Sequence, residues 1–520
     1  SYILQALSAN TVLINFMLAL SEQGEIFCTV EELYALVING KSIYSRLLRL
    51  NKAMRSRNPQ NEPLYRQLDD LREGILAEQT SEMLRGEGWD VYPMMQEKRL
   101  LELSLEEDIP ATFRWLSCEE VLSRLPDGAA LVDYYAYPAN RSGDLFLTDM
   151  RYAVFAAYRV NGQLYLKRLP SLNFLEVRWN LLLVTAEARA SRFRTLAQGL
   201  GSVGHGVLYR KLFHPVAALL DERVHTLFLS PDGELAKLPF GLLGPVPTRR
   251  LCDRYTIIYL ESARDLKPDI TIQLDGQEAL VVGNPDFSLT PVDPESVPQK
   301  LTDRLVSKIP LTKIEAQMVA DKLHTRPLLR RAACKRALQD CTASILHIAT
   351  HGAFYFDPET DDTPTQCEAL FAPMRRACLY FSGANDWLLS GQEDPVLGNG
   401  VLTAEELCHY RMKPPQLVVL SACFSGMGDV QQGNGIVGLQ TAFKVQGAKA
   451  MLLSVWEADD FAAAILMDRF YDNLASMPAG QALRDAQHYV RSVTIAQLGD
   501  RQWFDERRFR RIGLVAEDMR

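Results

Sequence analysis

The chain has 520 residues, which at roughly 150 residues per domain is enough for about three domains. Hydrophobic residues make up 47% of the sequence and charged residues 23%, values that exclude a collagen-like, disordered or low-complexity chain. The formal net charge of −8 indicates no strongly basic surface, so direct nucleic-acid binding is not expected.

The spacing of the cysteines and the length of the apolar runs indicate the cellular compartment of the protein. The nine cysteines contain no CxxC pair, which argues against a disulfide framework or a zinc cluster and favours a reducing compartment. The longest early apolar run, residues 12–20, contains Asn15 and is far shorter than the roughly 20 residues that span a bilayer. No secretory signal follows Ser1, so we expect a cytoplasmic protein without membrane contact, and a trimmed or recombinant fragment whose native N-terminal part is missing.

Residues 1–125 are predicted to be helical. Apolar residues recur there at helical spacing, as at Leu64, Leu68, Leu71 and Ile75. The segment has no clean repeat period, although breaks near Gly40, Pro59 and Gly86 fit two-helix units. One interpretation is therefore that this segment is the end of a helical-repeat array.

Residues 126–275 form a second region, in which strands come first. The β-rich runs 152–160 and 163–169 flank Asn161-Gly162, a strong signal for a two-residue hairpin turn. Helical patterns and then a buried-strand pattern follow, at residues 175–200, 206–222 and 224–230. This order is typical of an α/β fold.

Residues 276–520 repeat the alternation of strands and helices. Strand patterns occur at residues 279–283, 344–350, 416–422 and 449–455. Helical patterns occur at residues 311–323, 331–339, 436–446, 461–475 and 480–490, and Thr403 with Glu406 forms a capping-box signature. Strands separated by helices predict a parallel sheet.

We interpret residues 354–400 as one long irregular connection, a mobile lid or activation loop, with a cleavage site near Arg375-Arg376.

Two of these strand patterns end in residues that can carry chemistry. Residues 344–350 run into His351-Gly352, and residues 416–422 run into Cys423. Open α/β sheets place their sites at the carboxyl ends of strands, so neighbouring strands would bring His351 and Cys423 together. A thiol beside a base is a nucleophile pair, and the N–H groups of Gly352 and Cys423 are predicted to hold an oxyanion. The implied reaction class is acyl transfer.

Simpler interpretations exist for each of these residues. Taken alone, a cysteine at the end of a buried strand is more often an inert small hydrophobe. His347 and His351 have the HxxxH spacing of a helical zinc site, but the local β-pattern weighs against it, and we interpret His347 as structural. Residues 433–438 match G-x-G-x-x-G but begin ten residues after Cys423 rather than at a strand end, so no cofactor is expected.

The sequence from His347, His-Ile-Ala-Thr-His-Gly, and that from Leu417, Leu-Val-Val-Leu-Ser-Ala-Cys, closely resemble the CHAT family of caspase-like cysteine proteases. The resemblance covers about residues 127–495. Its further segments are residues 131–134, 229–235, 238–240, 435–443, 447–456 and 482–486. The aromatic His-Pro-Tyr-Tyr-Trp segment that usually closes the family domain is not visible after Val490.

This resemblance implies an α/β fold with a caspase-like, mostly parallel sheet flanked by helices. The implied domains are a helical segment at 1–125, a degenerate half at 126–275, rather as in separase, and an active protease half at 276–520. The implied function is a cysteine endopeptidase that uses His351 and Cys423 for regulated proteolysis of a partner protein, in a bacterial defence or signalling system. A regulatory partner or sensor would contact the helical segment. The alternative is a non-proteolytic caspase-like scaffold that binds a partner through that segment.

An acidic cluster after the last strand pattern predicts specificity. Asp459 or Asp460 could simply cap the following helix, but this explains one carboxylate well and three poorly. The segment resembles the Trp-Asp-x-x-Asp stretch of separase-like and CHAT proteases, which prefer basic residues, and the match falls on Glu457 and Asp460. We therefore predict cleavage after Arg or Lys, with Trp456, Glu457, Asp459 and Asp460 as substrate-binding residues.

Overall fold

The chain divides between two units that are interleaved in sequence. The computed structural model describes residues 2–24, 28–57, 59–85, 91–104, 114–139, 149–189, 204–246, 248–267, 271–274, 276–290, 297, 301, 304–355, 373–423, 425–426, 428–455, 459–501 and 503–504. The first unit comprises Ser1–Leu47, Thr112–Ile270 and Asp429–Val437, and the second comprises Leu48–Ala111, Thr271–Gly428 and Gly438–Arg520. The predicted helical segment thus contributes to both units, and the predicted domain bounds stay a prediction.

The N-terminal segment is helical, as its periodicity predicts. Its helices are α1 (Tyr2–Glu22), α2 (Val30–Gly40), α3 (Ile43–Arg57), α4 (Glu62–Arg85), α5 (Tyr92–Ser104) and α6 (Cys118–Leu122). Helix α2 begins at a capping box in which the Thr29 hydroxyl accepts the Glu32 N–H and the Glu32 carboxylate accepts the Thr29 N–H. Among the described residues, no helix is both long and apolar enough to cross a membrane. The helical-repeat interpretation stays a prediction.

The first unit contains a five-stranded mixed sheet. Its strands are β1 (Ala129–Pro138), β2 (Met150–Val160), β3 (Gln163–Asn173), β4 (Thr226–Ser230) and β5 (Thr256–Tyr259), in the order β3-β2-β1-β4-β5. Strands β1, β2 and β3 are antiparallel, whereas β4 and β5 run parallel to β1. The predicted hairpin is confirmed: Asn161 and Gly162 have φ angles of 53° and 75°, the left-handed conformation that this turn requires.

Both faces of the central part of this first sheet are buried. Side chains of α1, α2 and α6 pack on one face. Residues of α7 (Phe174–Arg189), α8 (His214–Ala217) and α9 (Leu251–Arg254) contribute to the apolar cluster on the other face. Burial on both faces explains why β1 and β4 consist almost wholly of buried residues.

A buried charged group lies at the carboxyl end of β4. The Lys41 ammonium donates to the Asp133 carboxylate at 2.8 Å, to the Ser230 hydroxyl at 2.7 Å and to the Ser230 carbonyl at 2.8 Å. All three residues are fully buried. Burial raises the pKa of Asp133, and the Lys41 ammonium opposes that rise. The polar groups at this end of β4 therefore satisfy one another within the protein.

The second unit contains the predicted parallel sheet. Its strands are β6 (Ala279–Gly283), β7 (Leu328–Leu329), β8 (Ile345–Ala349), β9 (Gly352–Phe354), β10 (Ala377–Tyr380), β11 (Val401–Thr403), β12 (Leu417–Ser421) and β15 (Ala450–Leu453). Between β12 and β15 in sequence, β13 (Gly428–Gln431) and β14 (Gly435–Gly438) form a two-stranded hairpin whose residues 429–437 belong to the first unit. Five of these strands form an all-parallel sheet in the order β15-β12-β8-β6-β7. This order corresponds to a doubly wound α/β arrangement. The antiparallel sheet β11-β10-β9 adjoins the end of β8 in sequence.

Helices separate these strands in sequence. They are α10 (Leu311–Lys322), α11 (Ala384–Ser390), α12 (Ala404–His409), α13 (Leu439–Val445), α14 (Asp460–Leu474), α15 (Ala479–Ser492) and α16 (Ile495–Leu498). The N-cap predicted at Thr403 is confirmed, because its hydroxyl accepts the Glu406 N–H at 3.1 Å. The Glu406 carboxylate instead pairs with Lys335 at 2.8 Å. The fold class is thus the predicted one, an α/β structure with a mostly parallel sheet flanked by helices.

The interpretation of residues 354–400 as one irregular connection is wrong for 377–390. Residues 356–372 lie outside the described residues, but β10 is a fully buried strand and α11 is a regular helix with four buried residues. A four-residue strand and a seven-residue helix are too short to show a clear periodicity in sequence. Arg375 forms an ion pair with Glu405 at 3.1 Å. Cleavage near Arg375 stays a prediction.

His347 lies inside the second sheet rather than at its edge. On β8 it is completely buried, with Nε2 at 3.2 Å from a carboxylate oxygen of Glu315 on α10. Its Nδ1 lies 3.2 Å from the Tyr471 hydroxyl on α14. This arrangement links the strand to two helices that pack on the sheet, which agrees with a structural role for His347.

We predict that His347→Ala and Glu315→Ala each lower the free energy of unfolding by about 3–5 kcal/mol, because each leaves the other polar group buried without its partner. Urea unfolding followed by tryptophan fluorescence measures the change. The double variant should lose less than the sum of the single losses, since neither member of the His347–Glu315 pair is then left buried alone. Additive losses would show that the two side chains do not stabilise the fold as a pair.

Candidate active site

Strand pairing brings His351 and Cys423 to one edge of the second sheet. Strands β8 and β12 are parallel neighbours, with Ala349 opposite Ser421. The Thr350 N–H donates to the Ser421 carbonyl at 3.3 Å, so the pairing continues beyond the last strand residues. His351 and Cys423 each follow two residues after this matched pair, and they therefore leave the carboxyl edge at the same level.

Gly352 packs directly against the backbone of Cys423. A Cβ atom built on Gly352 would lie 2.6 Å from the Cys423 carbonyl oxygen and 3.4 Å from the Ala422 Cβ. Any larger residue would push the two chain segments apart, so this position needs glycine. The close approach places the peptide that follows His351 beside the half-buried Cys423.

The imidazole of His351 has a defined partner. Its Nε2 lies 2.9 Å from the backbone carbonyl oxygen of Ser307, and its ring lies 5.3 Å from the Phe287 ring, centroid to centroid. A carbonyl oxygen only accepts, so Nε2 carries the hydrogen and Nδ1 of the neutral ring is the proton acceptor. Sequence reasoning missed Ser307, because a backbone carbonyl contact leaves no residue-type signal. It missed Phe287 because the contact between the two rings is made only by the tertiary fold.

The loop after Cys423 is attached to the end of β15. The hydroxyl of the fully buried Ser425 donates to the Leu420 carbonyl at 3.3 Å and accepts the Ser454 N–H at 3.0 Å. The Gly426 N–H donates to the Ser454 carbonyl at 2.7 Å. Ser425 was not predicted from sequence as a site residue. The sequence feature that could have indicated Ser425 is the run of small residues that follows β12 and Cys423.

The structure describes only part of the predicted acidic cluster. Trp456 and Glu457 lie outside the described residues. Asp459 is the N-cap of α14, where its carboxylate accepts the Ala462 N–H at 2.8 Å, and Asp460 is the exposed first residue of that helix. The capping interpretation is therefore confirmed for Asp459. The role of the cluster in substrate binding stays a prediction.

The glycine run after Cys423 forms a hairpin and a helix start. Gly433 and Gly435, with φ angles of 75° and 68°, lie at the turn between β13 and β14, and Gly438 is the N-cap of α13. A dinucleotide fingerprint needs its first glycine directly between a strand and a helix, and this hairpin does not provide that arrangement. Residues 429–437 belong to the first unit, where the Gly433 N–H donates to the buried Asp232 carboxylate at 2.9 Å.

Several other cysteines are poor nucleophiles. Burial raises the pKa of Cys118 and of Cys378 to about 12, and it also raises the pKa of Cys341 and of Cys408. Thiols with raised pKa values carry little thiolate near neutral pH. In the described part of the chain, no group of three or more His, Cys, Asp or Glu side chains could hold a metal ion.

A family comparison agrees with this geometry. Residues 205–504 match the model of the CHAT domain, which is more than half of the chain. The chain belongs to the CHAT-domain family. The resemblance predicted from His347–Gly352 and Leu417–Cys423 is thereby confirmed, and with it the caspase-like, protease-related fold.

Curated relatives share this region at modest identity. The chain is similar to Tetratricopeptide repeat protein 28 of mouse, 28% identical over 292 residues that cover 52% of this chain and 11% of the relative. The human protein of the same name is 27% identical over 292 residues, with the same coverage. The matched region thus spans about a tenth of these relatives. Neither name refers to a protease.

We predict that limiting iodoacetamide at neutral pH modifies Cys423 faster than the buried Cys118, Cys341 and Cys378 and faster than the half-buried Cys408. Cys423 is half-buried at the sheet edge that it shares with His351, whereas burial raises the pKa of the other four thiols and so suppresses their thiolate forms. Peptide mapping by mass spectrometry measures the order of modification.

The control for this experiment is Cys334→Ser, which removes a half-buried thiol elsewhere in the same unit and should leave Cys423 labelling unchanged. His351→Ala should slow it. Preferential labelling of Cys378 or Cys408 with Cys423 intact would contradict the assignment of Cys423 as the reactive thiol.

Proposed function

We propose that this chain is a cysteine endopeptidase in which Cys423 is the nucleophile and His351 is the general base. The observation that carries the proposal is the matched exit of β8 and β12, because His351 and Cys423 each follow two residues after the last paired residues of these strands. The Ser307 carbonyl adds support, because it orients the imidazole with Nδ1 as the proton acceptor. Membership of a protease-related family is consistent with this chemistry.

The proposed reaction follows the arrangement of these groups. His351 Nδ1 takes the Cys423 thiol proton, and Sγ forms a bond to the carbon of the substrate peptide carbonyl. The backbone N–H groups of Gly352 and Cys423 hold the resulting oxyanion. The intermediate collapses as the C–N bond breaks and the amine leaves with the proton from His351. Water then attacks the thioester with His351 as base, which releases the carboxylic acid and restores the thiol.

The pairing of β9 supports an oxyanion role for Gly352. The Tyr380 N–H on β10 donates to the His351 carbonyl at 3.0 Å, and Leu379 lies opposite Gly352 in the same antiparallel pair. Successive residues of an antiparallel strand alternate in hydrogen bonding to their neighbour. The N–H of Gly352 is therefore turned away from β10.

The biological setting is also part of the proposal. We infer regulated cleavage of a partner protein, with a regulatory partner on the helical segment 1–125, in a bacterial defence or signalling system. The family resemblance supports this setting by analogy, while the relatives described above come from mouse and human.

The decisive experiment is co-expression with candidate partner proteins, followed by a search for discrete cleavage products. Cys423→Ala and His351→Ala should each reduce cleavage by about 10³-fold or more, since neither half of such a pair works alone. Circular dichroism and thermal unfolding check that the variants remain folded. Cys334→Ser is the matched control and should cleave at the normal rate.

Two outcomes would overturn the proposal. Undiminished cleavage by a folded His351→Ala protein would remove the base from the mechanism. Partner binding through residues 1–125 that Cys423→Ala leaves intact, with no cleavage of any bound partner, would favour the non-proteolytic scaffold.

We predict cleavage after Arg or Lys, and a reduced kcat/KM for Arg peptides of roughly one to several orders of magnitude in Glu457→Ala and Asp460→Ala. A carboxylate lining the pocket would form a charge-assisted pair with the basic side chain. The measurement is a peptide-library profile of the active enzyme. Glu393→Gln, which alters an exposed carboxylate elsewhere in the second unit, should leave the profile unchanged. Cleavage mainly after acidic or apolar residues would contradict the prediction.

A further inference from the structure

The carbonyl that orients His351 lies in a segment without regular secondary structure. Ser307 belongs to residues 305–309, which precede α10 and form neither a helix nor a strand. Apolar side chains of this segment, Leu305, Val306 and Ile309, pack against the cluster that contains Phe287 and Trp387. Such packing keeps the segment in place but is non-directional, and it does not determine where the Ser307 carbonyl points.

The side chain of Asn385 forms directional hydrogen bonds to the backbone beside Ser307. The amide of Asn385 accepts the Val306 N–H at 3.0 Å through Oδ1 and donates to the Val306 carbonyl at 2.9 Å through Nδ2. Nδ2 also lies 2.9 Å from the Ser288 hydroxyl. Asn385 is 4% exposed, so these bonds form away from water. Asn385 therefore binds both the N–H and the carbonyl of Val306, the residue directly before Ser307.

The first turn of α11 also binds the backbone of Phe287, whose ring lies against the imidazole of His351. The backbone N–H of Asn385 donates to the Phe287 carbonyl at 2.8 Å. The next residue, Asp386, accepts the N–H groups of Leu289 at 2.7 Å and Thr290 at 3.1 Å through its carboxylate. The first turn of α11 therefore organises both segments that contact His351.

We propose that Asn385 is a positioning residue for His351, acting through the Val306–Ser307 peptide; this inference rests on the proposed function. The geometry requires one acceptor and one donor on the same short side chain. Leucine has a similar shape and neither group, whereas aspartate has two acceptors and would oppose the Val306 carbonyl. Without the amide, the Ser307 carbonyl no longer has a fixed direction, and the imidazole loses the partner that fixes its orientation.

The test uses Asn385→Leu and Asn385→Asp, with two readouts. Each variant should lower kcat for a cleaved substrate by about 10–100-fold, the usual cost of losing an orienting partner, with KM changed less than about threefold. Each should also slow iodoacetamide modification of Cys423, a readout that needs no substrate. Ser390→Ala, at the far end of the same helix, is the matched control and should change neither quantity; its hydroxyl donates to the Asp386 carbonyl at 2.8 Å.

A double variant distinguishes positioning from general destabilisation. In a His351→Ala background, Asn385→Leu should cause no further slowing of Cys423 modification, because the amide acts through the imidazole. Further slowing there, or an unchanged kcat in folded Asn385→Asp, would overturn the inference. If His351→Ala itself leaves Cys423 modification unchanged and no substrate is cleaved, the proposed function fails. If His351→Ala slows modification and Asn385→Leu does not, the positioning role alone fails.

Discussion

The parallel pairing of β8 with β12 is the constraint on which the candidate site depends. Parallel strands place their carboxyl ends at one edge, and the register of this pair sets the exits of the two chain segments at the same level. A slip of one residue would turn each side chain to the opposite face of the sheet. The flanking strands, β6 beside β8 and β15 beside β12, continue this parallel register. The proposed chemistry is therefore a consequence of strand pairing between segments far apart in sequence.

Polar residues at β4 and β8 have very different surroundings. At the end of β4, Lys41, Asp133 and Ser230 are buried and bonded to one another, so their hydrogen-bonding capacity is used inside the protein. Beyond the end of β8, His351 is half-buried and contacts a backbone carbonyl through one ring nitrogen. A buried and satisfied ion pair contributes to structure, whereas a partly exposed base with one oriented nitrogen is suited to proton transfer. This difference is what the expected division into a degenerate and an active half would require.

Orientation of the imidazole involves more of the second unit than the strand ends. The carbonyl of Ser307 lies in an irregular segment, and Asn385 on α11 holds the neighbouring peptide. The helix occurs in a part of the chain whose sequence lacks a clear periodic pattern. Because side-chain amides form directional bonds, one asparagine specifies what apolar packing leaves undetermined. Helix α11, which lies between β8 and β12 in sequence, thus binds the segment that contacts the imidazole.

The sequence by itself determined the elements with strong local signals. Alternation and turn chemistry predicted the hairpin at Asn161-Gly162, cap chemistry predicted the helix start at Thr403, and apolar runs predicted the strands that end near His351 and Cys423. These signals are local because they arise from backbone conformation and burial within a few residues. Only the tertiary structure decided that β8 and β12 are neighbours in register, that Gly352 contacts the Cys423 backbone, and that the Ser307 carbonyl contacts the imidazole while Asn385 binds the neighbouring Val306 backbone. Those relations depend on long-range pairing and on backbone carbonyls, and every residue type carries the same carbonyl, so no residue pattern records them.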